Sequence, residues 1–198
     1  MRIAIIGAGA VGLSLARGFA AAGHEVTLGT RDAAKPAVAE WLAAAGDNGR
    51  VTGYREAAGS GEIVVLAVPG RSVVDTASDI GADAFAGRIV VDPTNPVVIT
   101  ETGAVSAFGE DDSAAEALQR LLPEAHVVKA FNQMPAEVMT SPSPDEKRPL
   151  RIAGDHEPSK AVLTGLLESF GWKVRDLGPL KRARPLEQGV VSWFANRP

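Results

Sequence analysis

The chain contains no cysteine in its 198 residues. That excludes a disulfide scaffold, a thiolate zinc centre, an iron–sulfur cluster and a cysteine nucleophile. It also lacks an excess of positive charge. Twenty Lys and Arg against 24 Asp and Glu leave a formal net charge of −4, the reverse of the basic footprint of a nucleic-acid binder. Long apolar runs are missing too. The charge-free stretch Ile3–Ala16 falls short of the roughly 20 apolar residues that cross a bilayer, so no membrane partner is expected. Glycines within that stretch also interrupt the hydrophobic region a secretory signal would need. With no thiols and no export signal, the expected location is the cytoplasm. The three histidines, His24, His126 and His156, have no metal-ligand spacing, and no metal site is assigned.

What the chain has is glycine, 21 in all, against about 14 for an average composition of this length. The glycines punctuate an alternation of short apolar runs and helical segments. Arg2–Ile6, Glu25–Gly29, Val51–Thr52, Ile63–Val68, Ile89–Asp92, Val127–Ala130, Leu150–Ala153 and Trp172–Asp176 read as strands. Val11–Ala22, Ala33–Ala45, Arg71–Ile80, Ala114–Leu122, Ser159–Phe170 and a segment from about Pro185 read as helices. The alternation predicts an α/β fold of Rossmann type, doubly wound, with a mostly parallel sheet covered by helices on both faces. Length predicts one domain over 1–198. The proline-rich stretch Ser141–Pro149 marks off a small C-terminal extension, 150–198, of the same sheet.

Gly7-Ala8-Gly9-Ala10-Val11-Gly12 is a G-x-G-x-x-G sequence set between the first strand and the first helix, the context that gives the motif meaning. Gly7 allows the tight turn, Gly9 lets backbone approach a pyrophosphate, and Gly12 permits close helix–strand packing. The helix opening offers N–H groups and a partial positive charge to the phosphates. A tight connection without ligand is the plainer alternative.

The end of the second strand selects the dinucleotide. An NAD enzyme usually has Asp or Glu there, which would repel a 2′-phosphate. Here Thr30 and Arg31 stand in that place, with Lys35 further on. Charge-assisted hydrogen bonds of roughly 1.5–3 kcal/mol each are enough to set a preference, so NADP(H) is favoured. Asp32 either bonds a ribose or caps the next helix, and the cap is preferred. Arg31 and Lys35 as plain surface charges remain the alternative.

Ligands of such sheets lie outside the carboxyl ends of the strands. Ala67-Val68-Pro69-Gly70, Asp92-Pro93-Thr94-Asn95-Pro96 and Ala130-Phe131-Asn132-Gln133-Met134 therefore bring Ala67, Val68, Pro69, Asn95 and Ala130 forward as cofactor contacts. Asn95 serves equally well as a turn residue, and Asn132 as a partner for local backbone.

Taken in order, these segments resemble the NADPH-dependent coenzyme F420 reductases and their dinucleotide-binding relatives. The matching runs are Ile3–Gly12, Gly29-Thr30-Arg31 with Lys35, Ala67-Val68-Pro69, Asp92–Pro96, Val128–Asn132, Ala153-Gly154-Asp155 and Leu177–Leu180. The resemblance implies hydride exchange between NADPH and a deazaflavin, with Thr30, Arg31 and Lys35 on the 2′-phosphate and Asn132 and Arg184 near the second ring. Membrane-bound metalloreductases carry a similar cytosolic domain that reduces a flavin, so coenzyme F420 or a flavin is the expected acceptor. The family's F420 reductases continue with a long apolar helix behind the deazaflavin. Here the chain stops at Pro198 after Val190–Phe194, so that wall is expected to be shortened. Transmembrane helices of the metalloreductase kind are absent.

Hydride transfer needs positioning more than side-chain chemistry, and no catalytic residue is assigned. Two other readings stay open: a non-catalytic NADP-binding sensor or partner protein, and an NADP-dependent dehydrogenase of a small organic substrate. Trp193 and Phe194 on the final helix suggest a homodimer contact.

Overall fold

The computed structural model describes residues 1–101 and 103–196. Thr102, and Arg197 and Pro198 at the end of the expected extension, lie outside the described residues.

Eight strands form one sheet in the order β10-β9-β8-β5-β4-β1-β2-β3. They are β1 (Arg2–Ile6), β2 (Glu25–Gly29), β3 (Gly49–Thr52), β4 (Ile63–Leu66), β5 (Ile89–Asp92), β8 (His126–Lys129), β9 (Leu150–Gly154) and β10 (Val174–Asp176). The hairpin β6 (Val97–Thr100) and β7 (Gly103–Ser106) pairs separately. Helices α1 (Ala10–Ala21), α2 (Pro36–Ala45), α3 (Tyr54–Ser60), α4 (Val73–Ile80), α5 (Ala114–Leu121), α6 (Glu157–Ser169) and α7 (Ala183–Ala195) make the outer layers.

Alternation along β1 shows why its run is apolar throughout. Ile3 and Ile5 join the core on one face, with Leu15, Phe19 and Trp41. Ala4 and Ile6 join the core on the other, with Val64, Leu66 and Phe85. A strand covered on both sides has no polar face to show.

The chain winds outward from β1 through β2 to β3, then returns to place β4 on the opposite side. The strand order thus reverses between β1 and β4, and a crevice opens there at the carboxyl ends. Gly7, with φ of 113°, closes this point tightly: a Cβ on it would lie 2.4 Å from the Ala67 carbonyl oxygen. Only glycine fits both the backbone angle and the gap.

The expected extension continues the sheet through β9 and β10. β9 runs antiparallel to β8, with Val128 opposite Gly154 and Lys129 opposite Ala153. The reversal brings the entry to β9, including Arg148 and Arg151, to the same end of the sheet as the carboxyl end of β8.

Several boundaries differ from the sequence reading. Helix α3 and the β6–β7 hairpin were not expected, because each is short and its pattern too brief to register. The helix after Pro69 and Gly70 begins at Val73, after a single 3-10 turn at Gly70–Ser72. Asp32 does not cap α2. The helix starts at Pro36 behind Lys35, with no side-chain cap. Instead, Asp32 Oδ1 accepts the Ala34 N–H at 3.1 Å, closing a turn within its own loop. Pro36 already lacks an N–H and presets the helical φ, so α2 can begin without Asp32.

Candidate active site

At the phosphate turn, the first backbone bond of α1 runs from the Leu13 N–H to the Gly9 carbonyl at 2.9 Å. No side chain caps this start, so the N–H groups of Ala10, Val11 and Gly12 are left for a ligand. The three glycines have distinct surroundings. A Cβ on Gly12 would sit 1.9 Å from the Gly7 carbonyl oxygen, whereas one on Gly9 would meet nothing within 4 Å. Gly12 is required by packing, and Gly9 faces open space of the kind a diphosphate fills. Ala8 and Val11 are partly buried against the core beside them.

Beyond β2, Thr30 is buried and lies at the mouth of the crevice. Its hydroxyl accepts the Asp32 N–H at 3.1 Å and is 3.2 Å from the Asp32 carbonyl oxygen. Arg31 and Lys35 are exposed. They make no ion pair or side-chain hydrogen bond with any other described residue, so two unneutralised cations stand where a 2′-phosphate is expected. The Asp32 carboxylate beside them is drawn back by its bond to Ala34.

Three turns at the carboxyl ends of β4, β5 and β8 converge. A Cβ on Gly70 would lie 2.2 Å from the Asn95 carbonyl oxygen, so the turns after β4 and β5 touch through backbone. The turns after β5 and β8 are joined by side chains. Asn95 Nδ2 donates to the Asn132 carbonyl at 2.7 Å, and Asn132 Nδ2 donates to Asn95 Oδ1 at 2.9 Å. The second Nδ2 hydrogen of Asn132 goes to the Leu186 carbonyl at 3.0 Å. With both hydrogens committed to carbonyl oxygens, the amide orientation is set. Its Oδ1 has no partner among the described residues. Ala67 and Val68 are half-buried and Pro69 exposed at this rim, while Ala130 is buried beneath it. Between Ala130 and Asn132, Phe131 adopts φ of 65°, the left-handed region, at a strain of order 1–3 kcal/mol for a bulky residue. Asn132 N–H closes this bend on the Ala130 carbonyl at 2.9 Å.

Beneath these turns lies a charged cluster that the sequence reading missed. Lys129, Asp92 and Glu187 are fully buried. Lys129 Nζ donates to Asp92 Oδ2 at 2.8 Å, the Thr94 carbonyl at 2.7 Å and Glu187 Oε1 at 2.6 Å. All three ammonium hydrogens are spent. Glu187 Oε2 accepts the Ala114 N–H at the start of α5 at 3.0 Å, and Asp92 Oδ1 accepts the Thr94 N–H at 2.9 Å. Burial pushes the Glu187 carboxyl above its ordinary range against the pull of the Lys129 ammonium, and the Asp92 carboxylate pushes the same way as burial. A signal was available: Lys129 closes an otherwise apolar run, and a charge in a buried strand requires a partner.

A cavity of about 690 Å³ opens alongside Asn132. Met134, Pro135, Val190, Trp193 and Phe194 give it apolar walls, and Arg148 and Arg151 line it at the entry to β9. Arg184, expected near the second ring, does not line this cavity. Its guanidinium forks onto Glu116, Nε to Oε2 at 2.8 Å and a terminal nitrogen to Oε1 at 2.7 Å. That bidentate pairing holds Glu116 below the usual carboxylate range, and it ties α7 to the start of α5, where the Ser113 hydroxyl accepts the Glu116 N–H as N-cap and donates to Glu116 Oε2.

The histidines lie elsewhere. His126 and His156 stack with ring centroids 3.7 Å apart at the opposite end of the sheet, and His156 caps α6 by accepting the Ser159 N–H. Among the described residues, no group of three potential ligands is placed to hold a metal, and no helix is long and apolar enough to cross a membrane.

Comparison with known proteins agrees with this geometry. Residues 2–96 match the family described as NADP oxidoreductase, coenzyme F420-dependent. The F420-dependent NADP reductase of Methanothermobacter thermautotrophicus is 34% identical over 199 aligned positions, covering 95% of this chain and 85% of that protein. Rat metalloreductase STEAP3 is 31% identical over 94% of this chain, which corresponds to 36% of its own length. A crystal structure from Arthrobacter sp. FB24, assigned as an F420-dependent NADP-reductase, superposes with a TM-score of 0.89 at 34% identity, covering 96% of this chain and 90% of that one. With the phosphate turn, the strand order and this similarity over nearly its whole length, the chain belongs to the F420-dependent NADP reductase family.

Proposed function

We propose that this protein transfers hydride between NADP(H) and coenzyme F420, or a flavin in its place. The dinucleotide lies across the β1–β4 crevice: its diphosphate rests on the amides of Ala10, Val11 and Gly12, and its 2′-phosphate on Thr30, Arg31 and Lys35. NADPH, when bound, supplies the hydride. The chain's own part is to position both rings and to exclude water between them.

The observation that carries the reading is the Asn95–Asn132 clasp, because Asn132 belongs both to the strand-end turns and to the wall of the neighbouring cavity. A nicotinamide at these turns and a flat acceptor on Met134, Val190 and Trp193 would be neighbours. Asn132 Oδ1, held fixed, accepts a hydrogen from a carboxamide or ring N–H. Residues 150–198 act in this reading as the extension that walls the acceptor. Arg151, whose one side-chain hydrogen bond among the described residues is a long one of 3.4 Å to Gln133, takes the role of neutralising an acidic acceptor.

Trp193 and Phe194 line the cavity and remain well exposed. We assign that face to a second copy of the chain, which would cover the cavity.

The test is stopped-flow oxidation of NADPH with F420, FMN and FAD offered in turn. Rapid loss of NADPH absorbance with one of them supports the proposal. Tight NADPH binding with no transfer to any would favour the sensor, and turnover of a small carbonyl compound alone would favour the dehydrogenase.

A further inference from the structure

The cavity wall formed by α7 is tied to the strand-end turns by two neighbouring residues. Asn132 holds the Leu186 carbonyl, and Lys129 holds the adjacent residue, Glu187, from inside the core. The same ammonium holds Asp92, the last residue of β5, and the Thr94 carbonyl in the following turn. One side chain therefore joins the turn expected under the nicotinamide to the helix that faces the acceptor. Beyond Glu187, α7 continues through Gly189, Val190, Trp193 and Phe194 along the cavity.

We propose that Lys129 is a positioning residue that latches α7 to the β5 turn and thereby sets the gap between the two reacting rings. This rests on reading the cavity as the acceptor site. The geometry suits a latch better than a general stabiliser. Two Nζ hydrogens go to the β5 end and its turn, at Asp92 and Thr94, and the third to Glu187 on α7, while Glu187 spends its second oxygen on the amide at the start of α5. Phe131, two residues from Lys129, is held in a left-handed conformation, as at sites where surrounding structure over-determines the backbone. A displacement of α7 of about 1 Å is enough to lower transfer about a hundredfold without touching the nucleotide.

Glu187→Gln and Lys129→Met test this in the full-length protein. Glu187→Gln removes a charge at constant size. Its amide then faces a donor at either Lys129 or Ala114, so one tie must break. Amide hydrogen exchange across residues 186–194 is expected to speed up about tenfold or more, while α1 keeps wild-type protection. Hydride transfer at saturating acceptor should slow by up to about a hundredfold and the acceptor KM rise about tenfold, with the NADPH Kd within about twofold of wild type. Unchanged exchange in α7, or an NADPH Kd that weakens in step with the acceptor KM, would overturn the latch. Lys129→Met strands two buried carboxylates; if it does not fold, Glu187→Gln decides alone. Should the wild-type protein pass hydride to no acceptor, the functional reading fails, and the exchange measurement still decides whether Lys129 and Glu187 hold α7.

Discussion

Asn95 and Asn132 sit 37 positions apart and clasp one another, each donating its side-chain amide to the other residue at 2.7 and 2.9 Å. The pair bridges the ends of two neighbouring parallel strands, where a dinucleotide and its redox partner would meet. Asn132→Asp is the sharpest probe of it. The substitution replaces a double donor with an acceptor facing Asn95 Oδ1 and the Leu186 carbonyl, leaving polar groups unsatisfied at about 1–3 kcal/mol. Hydride transfer should fall by about tenfold or more, and Tm by several degrees. Full activity in this variant would remove the clasp from the site.

Arg31 has no side-chain hydrogen bond or ion pair among the described residues, so its removal should be felt only through the ligand. In Arg31→Ala, NADPH affinity measured by fluorescence titration is expected to drop about tenfold or more, with NADH little changed. Equal losses for both nucleotides would mean that the 2′-phosphate is bound elsewhere.

The two inner glycines of the phosphate turn should behave differently. Gly9 has open space around its missing Cβ and an extended backbone with φ of −89°, so Gly9→Ala should keep the wild-type Tm and lose NADPH binding. Gly12→Ala drives a methyl group into the Gly7 carbonyl and should lower Tm even without nucleotide. Calorimetry of both apo variants, followed by titration, separates the roles.

Stability should decline in acid through the histidine stack. Burial, and then the neighbouring His156 ring, hold His126 below its ordinary value of 6.5. The unfolded chain therefore takes up this proton first as pH falls. The contribution is intact above 6.5 and is lost as pH drops from there through the lowered folded value. Thermal melts between about pH 7 and pH 5 should show a fall in Tm that is smaller in His126→Gln. An identical slope in both proteins would exclude the stack as its source.

The exposed edge of α7 gives a test of assembly. Trp193 and Phe194 meet edge to face with centroids 4.9 Å apart, and Trp193 is 53% exposed. Trp193→Glu places a charge on this face and should yield monomers by analytical ultracentrifugation, with reduced turnover. Dimers of normal activity would show that copies meet on another surface.

The elements of the nucleotide half were legible because their signals are local. Gly7 through Gly12 lie between an apolar run and a helical run, and Thr30-Arg31 follows the next strand; each inference needs only a few adjacent residues. The cap assigned to Asp32 failed for the same reason. A side chain near a helix start looks like a cap until Pro36 is seen to begin the helix three residues later, with Asp32 bound to Ala34 instead.

The acceptor half depends on distance in space. The family resemblance brought Arg184 toward the second ring, whereas the fold pairs it with Glu116, 68 residues away. Arg151 gained its place on the cavity because β9 enters the sheet reversed, a matter of strand pairing that no local pattern encodes. Lys129 required both Asp92, its register partner on β5, and Glu187 from the last helix. Local sequence thus specified the turn that opens α1 and left two cations exposed after β2, since backbone angles and composition at one strand end suffice for both. Which cations stay free, which are neutralised, and how one helix is held against two strand ends follow from packing, because those outcomes depend on which distant partner reaches each buried charge first.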